Sequence, residues 1–85
     1  PYPNPFNPKT KIAFNVPKDG KIELVIFDIS GRLVRTFNVS SIGPGYHQLE
    51  WDARDDQGNA VSSGVYFFRF NSETNYQVQK VILLK

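Results

Sequence analysis

Apolar residues in this chain recur at every second position, in short runs broken by glycine, proline and polar turn residues. No stretch carries the spacing of about 3.6 residues that marks an amphipathic helix. Alternation of this kind is the pattern of half-buried strands. In residues 11–16, Ile12, Phe14 and Val16 alternate with Ala13 and Asn15. In residues 21–29, Ile22, Leu24 and Ile26 mark one face, while Val25 and Phe27 make the other apolar too, as in a central strand. Residues 46–51 place His47, Leu49 and Trp51 together, and residues 65–70 place Tyr66, Phe68 and Phe70 together. Residues 32–39 are ambiguous in parity because Leu33 and Val34 are adjacent. The last run, 76–84, reads as Tyr76, Val78, Ile82 and Leu84 inward, which buries Lys80 unless a bulge switches parity near it. Six strands are clear, and there is room for a seventh near Val39 or Val61. Short strands with regular turns predict an all-β antiparallel sandwich of about seven strands.

The turns are written as plainly as the strands. Pro17-Lys18-Asp19-Gly20, Ser30-Gly31, Ile42-Gly43-Pro44-Gly45 and Ser62-Ser63-Gly64 each break a run, with proline presetting φ and glycine accepting φ > 0. Gly31, Gly45 and Gly64 stand at strand entrances, where backbone conformation is reason enough for them. At the start, four prolines in the first eight residues make 1–8 an extended lead-in, so the domain proper is expected over 9–85. A rigid lead-in and a final apolar strand together suggest the terminal domain of a larger protein, with an upstream domain in the same chain.

Composition closes several routes to chemistry. With no cysteine there are no disulfides, thiol nucleophiles or cysteine-held zinc. The formal charge of +2 is scattered, and nucleic-acid binding wants a clustered basic stripe. No apolar run approaches the roughly 20 residues of a membrane-spanning helix. Asp52, Asp55 and Asp56 beside Asn59 offer oxygen ligands for calcium, but not at the alternating spacing of an EF-hand loop, and a solvated turn is the preferred reading. One short loop supplies no opposing wall for a glycosidase carboxylate pair. Ser62, His47 and Asp52 can be written as a triad, yet nothing orients them or supplies an oxyanion hole. No catalytic, metal or cofactor site is expected. Asn38-Val39-Ser40 matches a glycosylation sequon and is read as incidental.

Twelve aromatic residues is a high count for 85. Trp51, Tyr66, Phe68 and Phe70 follow strand phase and belong to the core. Val25, Phe27, Val65 and Phe67 are out of phase with it and predict an apolar patch on the outer face of one sheet, a candidate docking surface.

Tyr2-Pro3-Asn4-Pro5-Phe6-Asn7-Pro8, the stretch from Phe27-Asp28-Ile29-Ser30-Gly31 to Val34, and Gly45 through Trp51-Asp52 together form a familiar series. With residues 58–66 and 80–85 they resemble, in order and over nearly the whole chain, the C-terminal sorting domains of proteins exported by the type IX secretion system of Bacteroidetes. The pattern is also similar to the immunoglobulin-like domain of the flagellar hook-capping protein. Ala53 departs from the pattern, since glycine is common after Trp-Asp, and the departure bears on the loop's geometry.

The resemblance implies an immunoglobulin-like or fibronectin-III-like sandwich acting as a non-catalytic sorting signal. It further implies a secreted or cell-surface protein, with the outer-membrane translocon and a sortase as partners. Candidate recognition residues on that reading are Lys80 and Lys85 on the last strand, Gly31, Gly64, and Asn4 and Pro5 of the lead-in. The bland alternative for the lysines is protection of a strand edge. Two other functions compete: a structural spacer or assembly module of the hook-cap type, and a carbohydrate-binding module stacking sugars on Tyr46, Trp51 or Phe67.

Overall fold

The computed structural model describes residues 9–16, 20–72 and 76–84, with the backbone alone at 20–21 and 39–42. The lead-in with Asn4 and Pro5, most of the first turn, and Lys85 lie outside the described residues. Six strands follow in order: β1 (Thr10–Val16), β2 (Gly20–Asp28), β3 (Leu33–Ile42), β4 (Gly45–Trp51), β5 (Gly64–Ser72) and β6 (Tyr76–Leu83). They form two antiparallel sheets, β1-β4 and β3-β2-β5-β6. This is the sandwich that the alternating runs predict. No described residues form a seventh strand: Val39 falls inside β3, and Val61 lies in the loop after an isolated Arg54–Ala60 bridge.

The expected inner faces of β1, β2, β4 and β5 meet in one core. Ile12, Phe14, Val16, Leu24, Ile26, Trp51, Tyr66, Phe68 and Phe70 are all buried in it. The Phe14 ring centroid lies 5.9 Å from that of Phe68 and 5.8 Å from that of Phe70, and Tyr66 meets Trp51 edge-on at 5.1 Å. Both polar aromatic groups are satisfied. Trp51 Nε1 donates to the Arg54 carbonyl at 2.9 Å, and the Tyr66 hydroxyl donates to the Ser62 carbonyl at 2.6 Å. The second bond, from early in a strand back across its entering corner, is the tyrosine corner of immunoglobulin-like sandwiches.

The Leu33-Val34 ambiguity resolves as a bulge. Ile26 opposes Arg35 while Phe27 opposes Leu33, so Val34 is the extra residue and drops into the core.

The last strand overturns its expected parity. Val81 and Leu83 are buried, whereas Tyr76, Val78, Lys80, Ile82 and Leu84 are exposed. The cause is register, not a bulge. Residues directly opposite in an antiparallel pair share a face. Tyr66 opposes Val81 and Gly64 opposes Leu83, so the odd-numbered residues of β6 face inward. The inward row also holds Gln77 and Gln79, which extend their amides to the carbonyls of Asn15 and Ala13 on β1, at 3.4 and 3.3 Å.

Candidate protein-docking face

The four-stranded sheet turns its second face to solvent, and register alone assigns the residues there. Leu33, Phe27, Phe67 and Lys80 form one row across β3, β2, β5 and β6. Thr36, Val25, Arg69 and Val78 form the next, and Val65 with Ile82 continues the surface beyond Phe67. The apolar patch expected from Val25, Phe27, Val65 and Phe67 is therefore contiguous. The row missed in the sequence is that of β6, which adds Tyr76, Val78 and Ile82, each more than half exposed. No local signal pointed to it: the glutamines at 77 and 79, out of phase with those apolar residues, favour the opposite parity, and only the register of β6 on β5 assigns the row.

Arg69 organises the middle of this face. Its guanidinium carbon stands 4.8 Å from the Phe27 ring centroid, and Nη2 lies 3.5 Å from Glu23 Oε1. A cation over an aromatic face is attracted by the ring quadrupole while its stem covers apolar neighbours. Val25, directly opposite Arg69, is accordingly 4% exposed although it points away from the core. A groove of about 280 Å³ beside it is lined by Phe27, Ile29, Phe67, Arg69, Tyr76 and Val78.

Asp28 and Gly31 complete the groove's lining, and the turn they form accounts for the glycine by its own geometry. Asp28 Oδ1 accepts from the amides of Ser30 and Arg32, both at 2.9 Å, and the Gly31 amide donates to the Asp28 carbonyl. Gly31 closes this hairpin with φ of 85°, where a Cβ is disfavoured. Gly64 opens β5 opposite Leu83, on the far side from the groove. Lys80 is exposed in the outward row opposite Phe67. The structure thus gathers Lys80 and Gly31 with the patch and leaves Gly64 apart.

The acidic loop is occupied by its own protein. Asp55 Oδ1 accepts from the amides of Gln57 and Asn59, Asp52 Oδ1 takes Arg35 Nη1 at 2.9 Å, and Asp56 Oδ1 takes the Thr36 amide. Among the described residues no group of three acidic or histidine side chains is placed to hold a metal. His47 stacks on Phe14 and donates from Nε2 to the Gly43 carbonyl at 2.8 Å, so it does not join Asp52 in a triad. Trp51 is fully buried, which removes it as a sugar platform.

The family model for the FlgD Ig-like domain matches residues 5–75. This chain belongs to that family. The basal-body rod modification protein FlgD of Salmonella typhimurium is 35% identical over 46 residues, covering 54% of this chain and 20% of that protein. The FlgD of Salmonella typhi matches equally. Among solved structures, FlgD from P. aeruginosa superposes with a TM-score of 0.72 at 22% identity, over 88% of this chain and 61% of that one. FlgD from Xanthomonas campestris, whose structure addresses hook capping in flagellar assembly, gives 0.68 at 22% identity over 91% and 56%. At such identity the solved structures establish the fold. The chain spans about a fifth of the length of the curated relatives it matches.

These relationships correct the sorting-signal expectation. The family model, the relatives and the structures all lead to FlgD, so the type IX translocon and sortase fall away as partners. The confusion has a physical origin. The motifs shared by the two groups are mostly turn and core devices, such as the Asp28 cap and the Trp51 anchor, and these report a sandwich whatever its task.

Proposed function

We propose that this domain is a non-catalytic, immunoglobulin-like assembly module of the hook-cap type, and that it holds a protein neighbour on the outer face of its four-stranded sheet. One observation carries the reading: an apolar band runs from Phe27 through Phe67 to Ile82 across three strands, on a domain whose core is already complete on the other face. Continuous exposed apolar surface of this kind marks interaction sites. Family membership supplies the class of assembly, and hook capping carries with it an exported, cell-surface setting for the parent protein.

The test uses the parent protein in its own host. Phe27→Ser with Phe67→Ser is compared with the unaltered parent for hook assembly, scored by electron microscopy, after circular dichroism of the purified variant establishes folding. Assembly lost with the fold retained is the expected result. Normal assembly by the double variant, or by a parent lacking the domain, overturns the reading.

A further inference from the structure

The docking face ends in a strand edge, and the four edges of the sandwich are not treated alike. On β3, the loop after Trp51 folds back: the Asp56 amide donates to the Val34 carbonyl at 3.0 Å, and the Thr36 amide donates to Asp56 Oδ1 at 2.9 Å. On β1, the Ala13 and Asn15 carbonyls accept from Gln79 and Gln77. The outward side of β4 shows polar Gln48 and Glu50 beside Tyr46. On β6, no other described strand lies against the side away from β5, and the outward row is apolar except at Lys80. A long apolar edge is a template for another strand.

We propose, resting on the docking-face reading above, that β6 is a strand-addition site for an extended segment of a different protein, apolar on one face and carrying a carboxylate opposite Lys80. The lysine selects the occupant. It lies between Val78 and Ile82, opposite Phe67, with no acidic partner among the described residues. A second copy of this chain is disfavoured by the geometry. When two copies of β6 pair antiparallel about a twofold axis with their outer faces on one side, two registers keep nearly full overlap. One sets Lys80 directly opposite Lys80, and the other makes the two lysines diagonal neighbours. Like charges at those positions repel. A carboxylate there converts the same position from a barrier into a pairing contact, while main-chain hydrogen bonds and the flanking aliphatic residues supply the remaining affinity.

The matching probe follows from the register. Read against β6 from Ile82 back to Tyr76, the complementary strand is Val-Thr-Glu-Thr-Val-Thr-Val. This heptapeptide and its Val-Thr-Lys-Thr-Val-Thr-Val counterpart are titrated into the 85-residue chain, with backbone amide shifts followed by NMR. Saturable shifts on β6 are expected, with the glutamate peptide about 3- to 10-fold tighter than the lysine peptide, the preference reversing in Lys80→Glu. N-methylation of alternate peptide amides on the pairing side should abolish binding. Equal affinity for the two peptides, shifts confined to another edge, insensitivity to N-methylation, or a wild-type dimer paired through β6 in sedimentation each overturns the proposal. Hook assembly that still depends on Phe27 and Phe67 in those cases would leave the docking face standing without strand addition.

Discussion

Ala53 holds a backbone conformation that alanine rarely takes, and replacing it with glycine separates strain from burial. Its φ is 62° and its side chain is 1% exposed. The surroundings enforce this shape. The Ala53 carbonyl accepts from the Val61 amide at 2.9 Å, while the next carbonyl, of Arg54, receives both Trp51 Nε1 and Arg35 Nη1. A left-handed conformation costs an L-residue about 1–2 kcal/mol, which glycine recovers. Against that, glycine surrenders about 0.4–1 kcal/mol of unfolded-chain entropy and one buried methyl group worth about 0.8 kcal/mol. The opposing effects leave Ala53→Gly within about 0.8 kcal/mol of neutral, with either sign. For a domain of this size that moves the thermal midpoint by no more than about 3–6 °C. Removing the methyl of a buried alanine with relaxed backbone instead forfeits the entropy and burial together, about 5–14 °C. Thermal unfolding followed by circular dichroism distinguishes the two. A drop of more than about 6 °C would refute the claim that this loop is strained. Ala53→Val serves as the control, since a β-branched residue at positive φ is a steric outlier and overpacking alone costs about 1–3 kcal/mol.

Four further outcomes are expected. Tyr66→Phe, which removes the hydrogen bond to the Ser62 carbonyl, should cost about 0.5–1.5 kcal/mol by denaturant unfolding with an unchanged m-value. Phe68→Ala should cost about 3–5 kcal/mol, against about 1 kcal/mol for Phe67→Ser one residue away, and calorimetry of the pair reports which face each occupies. Arg35→Ala breaks contacts to Asp52, Asp56 and the Arg54 carbonyl and should cost about 1–2 kcal/mol by chemical unfolding, below the value of a buried charged bond because both carboxylates are half-exposed. Gly31→Ala should lower stability by about 1 kcal/mol through its positive φ while leaving hook assembly by the parent intact, which an electron-microscopic count of hooks would check.

Much of this architecture was legible because three strands each bury one face and expose the other. In β1, β4 and β5 the alternation is clean, so phase alone places Phe14, Trp51 and Phe68 in the core. β2 is apolar on both sides, which correctly marks it as central, flanked by β3 and β5. Its outward residues Val25 and Phe27 then point to the patch. The bulge at Val34 was not legible, because an extra residue has no local signature when both candidates for it are aliphatic. Nor was the internal occupation of the acidic loop, which depends on Arg35 arriving from a strand 17 positions earlier than Asp52.

The parity of β6 failed for a more instructive reason. Val81, Ile82, Leu83 and Leu84 are consecutive and apolar, so either phase buries two of them. The remaining evidence was a choice between Tyr76 with Val78 and Gln77 with Gln79. Burial by hydrophobicity prefers the first pair, but the pairing of Tyr66 with Val81 requires the second. The glutamines tolerate that assignment because their amides reach the open carbonyls of β1 across the mouth of the sandwich. The exchange leaves three apolar side chains on the outward row. A strand stabilised only by its own fold gains nothing from Tyr76, Val78 and Ile82 facing water, since each forgoes part of the roughly 1.5–3 kcal/mol that burial supplies. The inward positions 77 and 79 are themselves exposed, so the first half of the strand finds no burial within the domain on either face. A sequence that departs from its local optimum along one whole edge marks that edge as a place where another chain completes the burial.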